Sequence, residues 1–236
     1  MRFPFDDKRV TLGRAMKNRL LIGLTVAFMI LTGCAGASTL TYTVGTNIAD
    51  NAKSMELFQA SERVMIRKLA GNDIKDAQVT VVPSGSGSAV MTLKLPDAKA
   101  ADIARAMLSE TFTFDIRLEG PKTPGMSEGE TNWVPTGVDG STLLWIYAIS
   151  NPDTQEIGAE LVFNEQGQNL LQAAFTGNKG KSVGIFVRDL LVSKMTITDE
   201  VLSSHILISG IPSEHVAQIF ADDVNVGLHA IFTPTK

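Results

Sequence analysis

Cysteine is almost absent from this 236-residue chain, with Cys34 the only one. A single thiol excludes an internal disulfide and a cysteine metal cluster. Histidine is scarce too: His205, His215 and His229 stand ten and fourteen residues apart. None has the i,i+3 or i,i+4 neighbour that helical metal sites use, so the spacing predicts no metal. No G-x-S-x-G nucleophile elbow occurs. Gly180-Lys181-Ser182 ends like a phosphate-binding loop, but Phe175 stands where that frame needs a glycine. The acidic pairs Asp222-Asp223 and Glu128/Glu130 read as solvated charges, since an acid and base pair needs environments that split the two pKa values. The residues predict no catalytic site and no cofactor, and the chain reads as a non-enzyme.

A basic excess is also missing. The whole chain has net charge −4, and residues 1–33 hold six Lys or Arg against two Asp. The remainder carries 15 basic against 23 acidic residues, a net −8. Such a surface offers no electrostatic footprint for nucleic acid or for anionic lipid head groups.

Long apolar runs are limited to one. Leu20 to Gly33 (LLIGLTVAFMILTG) is uncharged and follows Lys17 and Arg19. A membrane-spanning helix needs about 20 apolar residues, so this run has the length and flank of a secretory signal. It ends in Leu31-Thr32-Gly33-Cys34, which resembles the lipobox of bacterial lipoprotein precursors. The resemblance implies a diacylglyceryl group, and a palmitate-type chain, on Cys34, with cleavage before it. Residues 1–33 are then a signal peptide, and Met16 opens a signal of more usual length than Met1 does. Ala35, not Asp, after the cysteine implies the periplasmic face of the outer membrane in a two-membrane bacterium. More than one acyl chain, at about 0.8 kcal/mol per buried methylene, makes such an anchor stable.

Beyond the 34–38 tether, periodicity predicts a strand at Thr39–Gly45 and a helix from about Asn51 to Ala70. That helix carries Met55, Leu57, Phe58, Val64, Met65, Ile66 and Leu69 at helical spacing. A hairpin follows, Ala77–Val82 and Ala89–Leu95 around a Gly/Ser-rich turn. Asp97 caps a second helix through Leu108, and Thr111–Leu118 alternates cleanly. This β-α-β-β-α-β order predicts a ferredoxin-like base over 39–118. Residues 119–142, rich in Gly, Pro and acid, read as a linker in which Trp133 packs on a neighbour. A second α+β subdomain is expected over 143–236. Its strands are Leu143–Ile149, Gly158–Phe163, Ser182–Val187, Leu190–Ile197, Ser204–Ser209 and Leu228–Thr233. Its helices run from Asn164 to about Thr176 and from Pro212-Ser213 to about Val224.

The second half resembles the head of the first periplasmic domain of the SecD family, whose members assist protein export through the Sec translocon together with SecF. The shared features are Phe163-Asn164-Glu165 with Gly167, Gly180-Lys181, the turn Arg188-Asp189 before Leu190-Leu191-Val192-Ser193, and Ile208-Ser209-Gly210-Ile211-Pro212-Ser213-Glu214. Leu190 stands where the family has glycine. The Leu95-Pro96 step and the strand Phe114-Asp115-Ile116-Arg117-Leu118 resemble the base of the same domain. The resemblance covers roughly residues 50–232 and implies an α+β base-plus-head fold. The SecD membrane helices, on which proton coupling depends, have no counterpart after the signal.

What the resemblance implies is contact with unfolded or translocating polypeptide, or with Sec translocon subunits. Exposed sheet edges are able to add a peptide strand. Arg188, Leu190, Leu191 and Ile211 are the candidate contacts, a place in the core being the ordinary alternative for the three apolar ones. The other functional reading is a non-catalytic scaffolding lipoprotein that binds a folded envelope partner.

Overall fold

The computed structural model describes residues 36–235 other than 86, 128, 152–154 and 199–204; Cys34, the signal and Met16 lie outside the described residues. The chain runs β1 (Ser38–Thr46), α1 (Asn51–Gly71), β2 (Gln78–Gly85), β3 (Ser88–Leu95), α2 (Ala98–Ser109) and β4 (Phe114–Glu119). It continues with β5 (Trp133–Asp139), β6 (Leu143–Ser150), β7 (Ile157–Phe163), α3 (Glu165–Phe175) and β8 (Ser182–Val187). The remaining elements are β9 (Leu190–Thr196), β10 (His205–Ser209), α4 (Glu214–His229) and β11 (Ala230–Pro234).

Each helix starts where a short polar side chain takes up an orphan backbone N–H. Asp50 Oδ1 accepts from Ala52 N at 2.8 Å, Asp97 Oδ1 from Ala100 N at 2.7 Å, Asn164 Oδ1 from Gly167 N at 2.8 Å, and Ser213 Oγ from Val216 N at 3.2 Å. Such caps contribute about 1 kcal/mol each.

The base sheet has the order β11-β1-β3-β2, antiparallel throughout. Alternation puts Tyr42, Val44, Met91 and Leu93 on one face, where Phe58, Met65 and Leu69 of α1 and Ala101 and Ala104 of α2 cover them. The head is built on two further sheets, β10-β7-β6 and β5-β4-β8-β9. They share one core, in which Phe114, Ile116, Leu161, Val183 and Ile185 meet Leu171 of α3 and Val224 of α4. Helix α4 also meets α1, where Leu57, Ala60 and Val64 close around Trp145 and Val226.

The α+β class and the base-plus-head order are as the sequence predicts, and three details differ. Alternation identifies β4 as a strand but not its neighbours. Its inward side chains Phe114 and Ile116 pack into the head core, and β4 pairs with β8 and β5. The fourth place in the base sheet is taken by β11, where Thr43 pairs with Thr233. The predicted linker contains β5; Pro135 and Gly137 hide its pattern, and an edge strand tolerates both. Helix α4 runs five residues past Val224 to His229, because its polar residues Asp222 and Asn225 face inward and are satisfied there. Asn225 accepts from Ile146 N at 2.9 Å and donates to Ile146 O at 2.8 Å, standing in for a strand neighbour beside β6.

Candidate functional site

The β8–β9 hairpin turns on Arg188 and Asp189, with φ of 51° and 61°. Positive φ at both loop positions is what a two-residue type I′ connection requires, because its twist matches that of the flanking strands. The family glycine is therefore dispensable here: Leu190 already stands in β9, paired with Val187. The loop is pinned from both sides. Arg188 N donates to Thr113 O at 2.9 Å, and its guanidinium meets Glu110 at 3.2 Å and lies over the Phe112 ring. Asp189 accepts from Arg117 at 2.5 Å.

Arg117 organises the outer face of this sheet. It chelates Asp115 at 2.6 and 2.9 Å, and its guanidinium carbon lies 4.2 Å from the centre of the Phe186 ring. Hydrogen bonds from Asp115 and Asp189 hold its pKa even further above its usual range. Trp133 meets Phe186 edge-on, with centroids 5.4 Å apart. Lys194 lies over Trp133. Beneath them, Gly184 has no room for a Cβ, which would come within 2.8 Å of Leu191 Cδ1 and of Phe186 Cε2.

Strand β9 is an edge of its sheet, and Leu190, Leu191 and Val192 stand exposed along it, Leu190 by 70 %. The pairing shifts between Ile185↔Ser193 and Phe186↔Leu191, which leaves Val192 unmatched as a bulge. Val192 forms one wall of a cleft of about 330 Å³ whose other side is Ile208, Ile211, Pro212, Val216 and Phe220. No charged side chain lines it. An unpaired strand edge running into an uncharged cleft can hold an extended peptide by main-chain bonds and side-chain burial.

Of the residues predicted as contacts, Leu190 and Leu191 are exposed on this edge and Ile211 is half-buried in the cleft. Arg188 is engaged by Glu110 and Phe112 on the far side of the turn. Sequence reasoning missed Val192, Val216 and Phe220. The run Leu190-Leu191-Val192 directly after a turn, and the i,i+4 spacing of Val216 and Phe220, were the signals available.

Two other polar clusters lie at the junction of base and head. Asp222 is only 2 % exposed, so it is not the solvated charge the sequence suggests. Burial disfavours its charge, but Arg63 and Gln218 hydrogen bonds, with the Arg63 and Arg67 charges, more than offset this and hold its carboxyl below the usual range. His229 is 7 % exposed; its ring stacks on Trp145 with centroids 5.9 Å apart, and its Nδ1 lies 3.0 Å from Asn47 Oδ1. Burial lowers the His229 pKa, the nearby Leu144 carbonyl opposes that shift, and Lys53 adds to it. Among the described residues, no group of three or more His, Cys, Asp or Glu is placed to hold a metal ion. No described helix is long and apolar enough to cross a membrane.

No protein-family model and no curated protein matches the chain. Among solved structures it is similar to SecDF, described as a membrane component that enhances protein export: 15% identity over 84% of this chain and 98% of the other, with a TM-score of 0.44. It is also similar to SecDF in a super-membrane-facing form, at 14% identity over 85% of this chain and 30% of the other, TM-score 0.46. A third similar structure is SecDF, a translocon-associated membrane protein from Thermus thermophilus, at 14% identity over 83% and 30%, TM-score 0.47. The chain thus spans about a third of those two larger chains. What it is similar to, over more than four-fifths of its length, is SecDF.

Proposed function

We propose that this protein is an exported lipoprotein, anchored through Cys34, whose head binds unfolded or translocating polypeptide. The observation that carries the reading is the β9 edge, where Leu190, Leu191 and Val192 are exposed and lead into the uncharged cleft. Monomeric proteins rarely leave such contiguous apolar surface without a partner. Its physical mode is strand addition: a peptide pairs with β9 while alternate side chains drop toward Ile211, Val216 and Phe220. Nothing in this mode selects a particular sequence, as a factor handling many exported chains requires. Anchorage at Cys34, three residues before Ile-free strand β1 opens at Ser38 with only Ala35-Gly36-Ala37 between, keeps the base close to the lipid surface. By the residue after the cysteine, Ala35, the anchor lies on the periplasmic face of the outer membrane.

The test is fluorescence anisotropy of a labelled, permanently unfolded chain (reduced carboxymethylated lactalbumin) titrated with the full protein. Saturable binding is expected, weakened at least tenfold by Leu190→Asp with Val192→Asp and unchanged by Met55→Asp on exposed α1 surface. Equal affinity in all three proteins, or no binding, defeats the reading. Photo-crosslinking in cells from Leu190 then distinguishes translocon subunits and diverse secretory chains from one folded envelope partner, the scaffolding alternative. Anchorage is tested separately by metabolic labelling with palmitate, which Cys34→Ser abolishes if the thiol carries the lipid.

A further inference from the structure

The base sheet has one face under α1 and α2, and its other face is open. Directly opposed residues in antiparallel strands share a face, so the register defines this surface. Thr41, Thr92 and Thr80 stand side by side across β1, β3 and β2. In the next row Thr233, Thr43, Val90 and Val82 cross all four strands. Thr39, Lys94 and Gln78 form the row at one end, and Ile231, Gly45 and Ser88 the row at the other. Lys94 is the one charged side chain in these rows. Elsewhere the chain past residue 33 carries 23 acidic against 15 basic residues.

We infer that this face is the contact surface between two copies of the chain. Two acidic molecules repel through most of their surfaces, but here neither copy brings a carboxylate. Four strands about 4.8 Å apart and roughly eight residues long, at about 3.3 Å each, give a footprint on the order of 500 Å² per copy, or on the order of 1,000 Å² for a pair. That reaches the size at which specific association begins. β-Branched side chains are the type that interdigitates between sheets stacked face to face.

The geometry also fixes the arrangement. A two-fold axis along the strands, between β1 and β3, lays β2 of one copy over β11 of the other. This brings exposed Val82 (60 %) toward exposed Ile231 (56 %), at opposite edges of one sheet but facing partners in the pair. Thr43 and Val90 then lie beside the axis, each near its own counterpart. The Lys94 ammonium groups fall at one end, where water reaches them. The surface is separate from the β9 cleft, so the inference stands whether or not polypeptide binds there.

The test uses cells expressing the full chain with Thr43→Cys or Val90→Cys and a permeable bis-maleimide of about 10 Å reach, the spacing of stacked sheets. Both variants are expected to give a crosslinked species of twice 25.3 kDa. The parent chain, with Cys34 alone, and Ala106→Cys on exposed α2 surface should not. Adding Val82→Glu, an exposed position that leaves the core intact, is expected to reduce the crosslink at least tenfold. Absence of the doubled species from both cysteine variants, or its persistence with Val82→Glu, overturns the inference, and so does crosslinking of this face to a different protein.

Discussion

Arg63 of α1 grips Asp222 of α4 with both Nε and Nη2, each at 2.8 Å, and so ties the base to the head with a buried carboxylate. The two ends of this bond are unequal. Arg63 keeps 42% of its side chain in solvent, whereas Asp222 keeps 3%. Removing the arginine strands a charge in the interior; removing the acid frees a cation that water can take up. Arg63→Met is therefore expected to destabilise the protein by about 2–3 kcal/mol and Asp222→Asn by only about 1 kcal/mol, read as midpoint shifts in urea. The reverse ranking would show that the guanidinium, not the carboxylate, is the group that folding desolvates.

His229 predicts a pH dependence. Its folded pKa is lowered by burial, so between that value and the usual 6.5 the unfolded chain binds a proton that the folded chain does not. Its contribution to stability is complete above pH 6.5 and is lost as pH falls through the folded value. Melting at pH 7.5 and pH 5.5 should show a smaller loss for His229→Gln than for the parent chain. Trp145, stacked on the ring, offers a direct readout in a Trp133→Phe background, where its emission should titrate and the Gln variant should not.

The Arg188-Asp189 turn holds two side chains in the left-handed region, each at a cost of about 1–2 kcal/mol. Arg188→Asn with Asp189→Gly supplies the residues that a type I′ loop favours. The exchange loses the surface contacts to Glu110 and Arg117, which are worth about 0–1 kcal/mol each. A net gain of about 0.5–1 kcal/mol is expected in urea unfolding, with the binding edge at β9 unchanged.

Gly184 is required by the side chains stacked above it. Gly184→Ala places a methyl group within 2.9 Å of Trp133 Cη2 and closer still to Leu191 and Phe186, and is expected to cost about 1–3 kcal/mol. Trp133 emission should shift in the folded variant as the ring is displaced. A neutral effect would mean that this aromatic cover is loosely held.

How far the sequence was legible follows from which signals are local. Periodicity located the helices and strands, and cap residues such as Asp97 and Asn164 marked helix starts, because those are properties of neighbours along the chain. Partners are not local. The clean alternation of Phe114, Ile116 and Leu118 says that one side is apolar, not whether the base or the head receives it. Asp222 looked like solvent-facing charge because its partner Arg63 lies 159 positions away. At the candidate site the exposure of Leu190 and Leu191 depends on β9 being an edge, which only the assembled sheet decides. Ile211 was named as a contact, but the cleft around it joins three segments separated in sequence.

The placement of β11 beside β1 makes completion of the base a late event. Thr43 waits for Thr233, so residues synthesised near the start must hold an unpaired edge while the entire head is made. Closing so long a loop slows folding. Meanwhile the β1 edge offers its free amides to any other extended chain. A chain interrupted anywhere before β11 retains this open edge however well its head has folded. The same strand therefore works as a check on length: only chains that include it can seal the base, and shorter products remain recognisable to proteases and chaperones by the edge they still expose.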